Sequence, residues 1–294
     1  MELPRVSNLD FPEHLGARMR PPADRIGLVV SDVDGTLVTK DKRLTPEVLA
    51  AAVRLRAAGV PLALVSSRPP RGLSSVVAAL GVDVPCAGFN GGVVFHPGGE
   101  VVAKRPLSSG MTRLAVDTLT RHGADVWLFT ENEWLARDPT GAYVAHETRT
   151  VGFGPRFVNG FEAVLDGAYK VVGASPEPEL LVAAEAELRG LFAGKAIASL
   201  SQPYYLDAND AAAHKGIAVA DIARALGVDL GAVATIGDGD NDVPMFDVAG
   251  LSIAMGNASA DTRARAHFET TSNEDSGFAA AIERFVLPRL GARS

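Results

Sequence analysis

Residues 26–40 read "IGLVVSDVDGTLVTK", an apolar run of strand length that stops at two aspartates one residue apart, Asp32 and Asp34. A short apolar run closed by Asp and Gly is the pattern of a buried strand entering a turn. Two like charges side by side at its end have two readings: a solvated turn, or a site that needs paired carboxylates. The flanking sequence sets the frame. "TPEVLAAAVRLRAAG" (45–59) carries Val48, Ala52 and Leu55 at helical spacing, with Thr45 and Pro46 marking its start and Gly59 its end, and "VPLALVS" (60–66) is a strand again. Strand, helix and strand form a βαβ unit, which implies a parallel sheet with right-handed crossovers.

The pattern continues with a helix in "PPRGLSSVVAALG" (69–81) and a strand near "VPCAGF" (84–89). It resumes after residue 207 with a helix from His214 to Leu226, the strand "AVATIG", a helix near 241–249 and the strand "LSIAM". Between these parts the period changes. Two strands, "GGVVFHP" and "EVVAKRP", flank a Gly-Gly turn, and helices are expected near 109–122 and 176–193. The expected fold is α/β: a doubly wound, Rossmann-like parallel-sheet core from 26–92 and 205–294, with an α+β domain of residues 93–204 inserted into it. Residues 1–25, rich in Pro and Arg, are expected to form a tail or strap.

A chain of 294 residues, 47% hydrophobic, has room for a sizeable core and about two domains. Lys and Arg total 28 against 35 Asp and Glu, a formal charge of -7 without a basic block, so neither nucleic acid nor an anionic membrane is expected as partner. The absence of a signal-peptide pattern and a single cysteine, Cys86, fit a soluble cytoplasmic protein. Cys86 lies in an apolar run and reads as a small buried residue rather than a nucleophile. His96, His122 and His146 lack zinc-ligand spacing.

Three polar clusters stand just beyond strand ends: Asp32 with Asp34, Ser66 with Ser67 and Arg68, and Asp238 with Asp240, Asn241 and Asp242. Open parallel sheets bind ligands in the crevice outside those ends, so the clusters should converge. An EF-hand reading of "GDGDND" fails, because Val243 stands where Gly is needed and Ala249 where Glu is needed. No phosphate-binding loop of the GxxxxGK type and no GxGxxG motif is present. A magnesium site remains, since Mg²⁺ takes one or two carboxylates together with substrate phosphate oxygens.

Taken together, "DVDGTL" (32–37), Ser66 at the end of "LALVS", Lys215 in "HKG" and "GDGDND" (237–242) resemble the haloacid dehalogenase superfamily, and within it the Cof-like class IIB phosphatases. "FNGG" (89–92) and "YYLDANDAAAHKG" (204–216) are similar to that subgroup as well. The resemblance implies a cap domain and a Mg²⁺-dependent phosphatase acting on a small phosphate ester such as a sugar phosphate. It implies Asp32 as the nucleophile that forms an aspartyl phosphate, Asp34 as general acid and base, and Lys215 as the cation that neutralises the nucleophile and phosphoryl group. Asp32, Asp238 and the Asp34 carbonyl would bind the metal, with Asp242 orienting metal-bound water or Lys215. Ser66, Ser67, Arg68, Asn90, Gly91 and Asn241 are the expected phosphate-binding or supporting residues. The usual Thr-Gly-Arg is replaced here by Ser66-Ser67-Arg68. Arg149, Tyr143 and Lys170 are candidates to touch substrate from the cap. Two rivals stand beside this reading. A phosphomutase would return the phosphoryl group to another hydroxyl, and a phosphoacceptor or ligand-binding module would take up phosphate without turnover. Oligomeric state is not legible in the sequence.

Overall fold

The computed structural model describes residues 21–290, so most of the expected 1–25 tail lies outside the described residues. Ala23 and Ile26 join the body through backbone hydrogen bonds to Gly250 and Arg289. The chain then runs β1 (Leu28–Ser31), α1 (Pro46–Ala57), β2 (Leu62–Leu64), α2 (Pro70–Leu80), β3 (Cys86–Gly88), β4 (Val93–Phe95) and β5 (Val101–Lys104). Next come α3 (Ser109–Arg121), β6 (Asp125–Phe129), β7 (Trp134–Ala136), α4 (Val144–Val151), β8 (Arg156–Phe157), β9 (Lys170–Ala174), α5 (Pro178–Phe192), β10 (Ala196–Gln202) and β11 (Tyr205–Asp210). It returns through α6 (Lys215–Leu226), β12 (Val233–Gly237), α7 (Val243–Val248), β13 (Leu251–Ala254) and β14 (Phe268–Glu269).

Capping residues set the helix limits. The Thr45 hydroxyl accepts from the Val48 amide, Pro46 takes the first position of α1, and His214 caps α6 through the Ile217 amide. Gly81 and Gly227 end α2 and α6 in left-handed conformation.

The first sheet has the order β14-β13-β12-β1-β2, every neighbour pair parallel. Chain direction across the sheet reverses at β1, between β2 on one side and β12 on the other, which opens a crevice at their C-terminal ends. Alternation along β1 explains the two-sided core. Val29 packs with Val48, Leu55 and Leu73 of α1 and α2, while Leu28 and Val30 pack with Ala218, Val219 and Ile222 of α6.

The second sheet has the order β10-β11-β9-β6-β7-β8 and is antiparallel except for the β7–β8 pair. One face packs on α3 and α5 through Val126, Leu128, Val171 and Leu206. The other carries Trp127, Phe129, Val172 and Tyr205 and meets the first body at Phe89, which stacks on Tyr169 with ring centroids 5.6 Å apart.

Both expected seams fall between two strands that pair with each other, β3 with β4 and β10 with β11. The β4–β5 hairpin pairs with β3, and Val94 packs beside Val65 and Ala218 of the parallel-sheet body. At the other seam, Gln202 pairs with Tyr205, and β11 stays in the second sheet through its partners on β9 and β10. Ladder hydrogen bonds therefore tie the hairpin to β3, and the second sheet is carried by the chain from α3 to β11. Among the described residues no helix is long and apolar enough to cross a membrane.

Leu55 is fully buried whereas Val53, on the same helix, is 59% exposed. Leu55→Ala is expected to cost about 2–5 kcal/mol in denaturant unfolding, and Val53→Ala no more than about 0.5 kcal/mol.

Candidate active site

Asp32 follows β1 directly, and its amide donates to the Ile236 carbonyl of β12, so the strand ladder fixes where the carboxylate starts. Three amides, those of Thr36, Leu37 and Val38, donate to the Val33 carbonyl and fold "DGTL" into a tight turn. Gly35 has φ +84°, and a Cβ there would collide with the Asp238 carboxylate. Glycine is required at this position for both reasons.

Lys215, at the first position of α6, is 1% exposed and donates to Asp32 Oδ1 at 2.6 Å and to Asp242 Oδ1 at 2.5 Å. The second Asp242 oxygen accepts from the Asp238 and Gly239 amides at 2.8 and 2.9 Å. Asp238 accepts from Thr36 Oγ1 at 3.2 Å and Asn257 Nδ2 at 3.0 Å. Oxygens of Asp32, Asp238 and Asp242 lie within 4.8 Å of one another.

Three carboxylates share one ammonium here, and proton affinities follow from that imbalance. Burial, with repulsion from Asp242 and Asp238, lifts the Asp32 pKa well above the carboxylate range although Lys215 opposes it. Burial and then Asp242 push Asp238 up to about 6. Burial pulls the Lys215 ammonium down, but Asp242 and Asp32 outweigh it and the group stays charged. The all-oxygen set with surplus negative charge fits a hard divalent cation.

Asp34 lies in a different setting. Burial acts to raise its pKa, but Arg68 grips both oxygens, Nε to Oδ2 at 2.6 Å and a terminal nitrogen to Oδ1 at 2.7 Å, and Lys42 adds a third donor at 2.7 Å. The net effect holds Asp34 below its ordinary value. Arg68 is 7% exposed, so it is neither a solvated loop cation nor free for another anion while this grip lasts.

Ser66 is buried after β2, where its hydroxyl accepts from the Arg68 amide and its carbonyl from the Asn90 amide. Ser67 is half-buried between them. Asn90 has φ +58° and accepts through its side chain from Asn241 Nδ2 at 3.2 Å, joining the turn after β3 to the loop after β12. Gly91 has φ +103°, and a Cβ there would lie 2.9 Å from the His214 carbonyl, against the start of α6 that carries Lys215. Asp240 is exposed and accepts from Thr262 Oγ1 at 2.6 Å. Asn257, Thr36 and Lys42 were missed by sequence reasoning. Asn257 follows β13 and stands at the same sheet edge as the other clusters, a signal that was available; Lys42 reaches Asp34 only through a turn with φ +60°. Cys86 is fully buried, and burial pushes its thiol up to about 12, as a packing residue requires.

The sequence model for haloacid dehalogenase-like hydrolases matches residues 29–282. A Streptococcus pyogenes protein provisionally named a phosphatase is 32% identical over 269 residues, covering 89% of this chain and 99% of the relative. A Bacillus subtilis protein named as a 5-amino-6-(5-phospho-D-ribitylamino)uracil phosphatase is 24% identical, covering 88% and 97%. Among solved structures, a haloacid dehalogenase-like hydrolase from Bacteroides thetaiotaomicron superposes with a TM-score of 0.82 at 25% identity, covering 88% of this chain and 99% of that one. A subclass IIB sugar phosphatase of the superfamily shares the fold with a TM-score of 0.76 at 21% identity, covering 88% and 98%. The chain belongs to the haloacid dehalogenase-like hydrolases, among the family's phosphatases, as its motifs implied.

Titrating metal-free protein with Mg²⁺ is expected to raise Tm, by the equivalent of about 2.7 kcal/mol at a hundred times Kd. Because the folded pKa of Asp238 is raised to about 6, its ionisation destabilises the metal-free fold as pH rises from the usual carboxylate range through 6. The magnesium gain should accordingly be larger near pH 8 than near pH 5, and Asp238→Asn should remove most of it.

Proposed function

We propose that this phosphatase is magnesium-dependent and hydrolyses the phosphate monoester of a small metabolite, a sugar phosphate, through an aspartyl phosphate on Asp32. The observation that carries the reading is the buried Lys215 ammonium bridging Asp32 and Asp242. It fixes the nucleophile and holds positive charge where the phosphoryl oxygens arrive, the term on which phosphoryl transfer depends most.

In the first step an Asp32 oxygen bonds to phosphorus as the ester P–O bond breaks, and Asp34 protonates the leaving oxygen. In the second step Asp34 accepts a proton from the water that attacks phosphorus, the Asp32–phosphorus bond breaks, and inorganic phosphate leaves. The Arg68 and Lys42 grip keeps Asp34 anionic, which suits the second step. For the first step, the incoming phosphate competes for the same two cations, loosens the grip and raises the proton affinity of Asp34. Ser66 and the adjacent turns hold the phosphoryl oxygens. Asp32, Asp238 and the Asp34 carbonyl would hold Mg²⁺, which when bound supplies further charge for the transferring group.

The unit from α3 to β11 is read as a cap that keeps bulk water from the crevice. Small phosphate esters as substrates draw support from the ribitylamino-uracil phosphate in the name of the Bacillus subtilis relative. A single cysteine, which leaves no intrachain disulfide to form, fits a cytoplasmic setting.

Steady-state phosphate release from a panel of sugar phosphates, nucleotides and an aryl phosphate tests the reading. Release is expected to need Mg²⁺, to fall by roughly 10⁴-fold or more in Asp32→Asn, and to fall about 10²–10⁴-fold in Asp34→Asn. Wild-type protein that isomerises a sugar phosphate without releasing phosphate would instead be a mutase.

A further inference from the structure

In the second sheet β9 and β11 have a strand on either side, and their side chains are satisfied internally: Lys170 pairs with Asp207 at 2.8 Å, with Glu147 and Tyr205 as near neighbours. β10 ends the sheet, and only β11 pairs with it. Its sequence, "AIASLSQ" (196–202), is seven residues long and has neither a charge nor a proline. The other strands that end a described sheet are shorter. β2 and β3 have three residues each, β8 and β14 have two and carry Arg156 and Glu269, and β5 has four and ends in Lys104. Short length and charge are the usual protections of a sheet edge, and β10 has neither.

The ladder shows which backbone groups of β10 point outward. The Ala211 amide donates to the Lys195 carbonyl, and on the other side of β11 the Ser175 amide donates to the Tyr204 carbonyl. Bonding direction alternates along an antiparallel strand, so Ile197 and Ser199 bond to β11, whereas the amides and carbonyls of Ala196, Ala198 and Leu200 face away from it. A register shift between Leu200 and Gln202 closes this stretch. Side chains alternate across the sheet: Ala196 and Ala198 are buried in the core with α5, and Ile197 is 45% exposed on the opposite face.

α5 packs on β10 and continues the same edge into the helical layer. Glu187 pairs with Arg121 and His122 of α3, which makes that flank of α5 the inward one. Val182, Glu185 and Arg189 lie roughly 140–160° round the helix from Glu187, on the flank above the free strand edge. Val182 is 51% exposed there. Glu179 stands in the first turn of α5 and Arg189 in the last.

We infer that β10 is the docking edge for a second copy of this chain, which pairs with it strand to antiparallel strand about a two-fold axis at Ala198 and joins two second sheets into one. Self-pairing in this sense satisfies every outward group of the stretch at once, Ala198 against Ala198 and Ala196 against Leu200. It brings the last turn of each α5 toward the first turn of the other, Arg189 toward Glu179, whereas a parallel pair would set like charges together. Ile197 and Val182 are then covered on the two faces of the joined sheet. The strand carries no charge, so identical copies meet without repulsion. The described chain begins on the parallel-sheet body, where Ala23 bonds to Gly250, and not at this edge.

The test is size exclusion with light scattering, and sedimentation velocity, on the full chain as wild type, Ile197→Lys and Ile197→Glu. Wild type is expected to be a dimer at about 10 μM. In the pair the two copies of residue 197 are diagonal neighbours, within reach of long side chains. Each variant should therefore weaken self-association by about 10-fold or more, and an equal mixture should form a heterodimer at least about threefold tighter than either variant with itself. Ile197 is exposed in the single chain, so both variants should keep the circular dichroism of wild type, which separates lost pairing from lost folding. Wild type that stays monomeric up to about 100 μM, a dimer indifferent to both substitutions, or a mixture that gains nothing would each overturn the inference. Wild type that becomes dimeric only after removal of residues 1–20 would assign the edge to the chain's own leading segment and overturn it as well.

Discussion

Asp32 and Asp242 converge on a single ammonium, Lys215, where there is almost no solvent, with the half-buried Asp238 beside them, and that charge imbalance organises the crevice. Buried charges of like sign are held together only where the surrounding fold over-determines them. The fold supplies this from separate parts of the chain. β1 and β12 fix the two loops that carry the acids, the Asp238 and Gly239 amides hold Asp242, and the first turn of α6 drives Lys215 between them. The surplus of negative charge fits the site to a divalent cation. It also explains why Gly35 is glycine, since its backbone passes directly against the Asp238 carboxylate.

Asp34 shows how the same crevice keeps two carboxylates in different states. Asp32 is buried, with acids beside it, and its proton affinity rises; Asp34, two residues on, is clasped by Arg68 and Lys42 and its proton affinity falls. In the proposed reaction a bound Mg²⁺ would offset the repulsion that raises Asp32, and a phosphate that draws Arg68 and Lys42 away would raise Asp34. Arg68 then has a second partner in prospect, because a phosphate dianion is a stronger ligand for a guanidinium than one carboxylate.

The parallel-sheet body was legible in the sequence because its signals are local. Thr45-Pro46, Gly81 and Gly227 mark helix limits, and the runs of β1, β2 and β12 are apolar apart from Ser31 and Thr235. The acids were legible because they follow those strands directly. Two kinds of information were not local. The β4–β5 hairpin reads as part of the inserted block, yet its ladder partner is β3, a choice made by tertiary pairing. The grouping of Glu147, Lys170, Asp207 and Tyr205 depends on the register between β9 and β11 and on where α4 docks, neither of which spacing along the chain encodes.

The account stands on Asp32 as the atom that takes the phosphoryl group. Its most direct test is chemical trapping during turnover: the protein is quenched while hydrolysing a substrate, the acyl phosphate is reduced with borohydride, and the peptides are mapped by mass spectrometry. Conversion of residue 32 to the reduced alcohol, dependent on both substrate and Mg²⁺, is the predicted result. Trapping at another side chain, or continued turnover by an enzyme that leaves Asp32 unmodified under every quench condition, would contradict it.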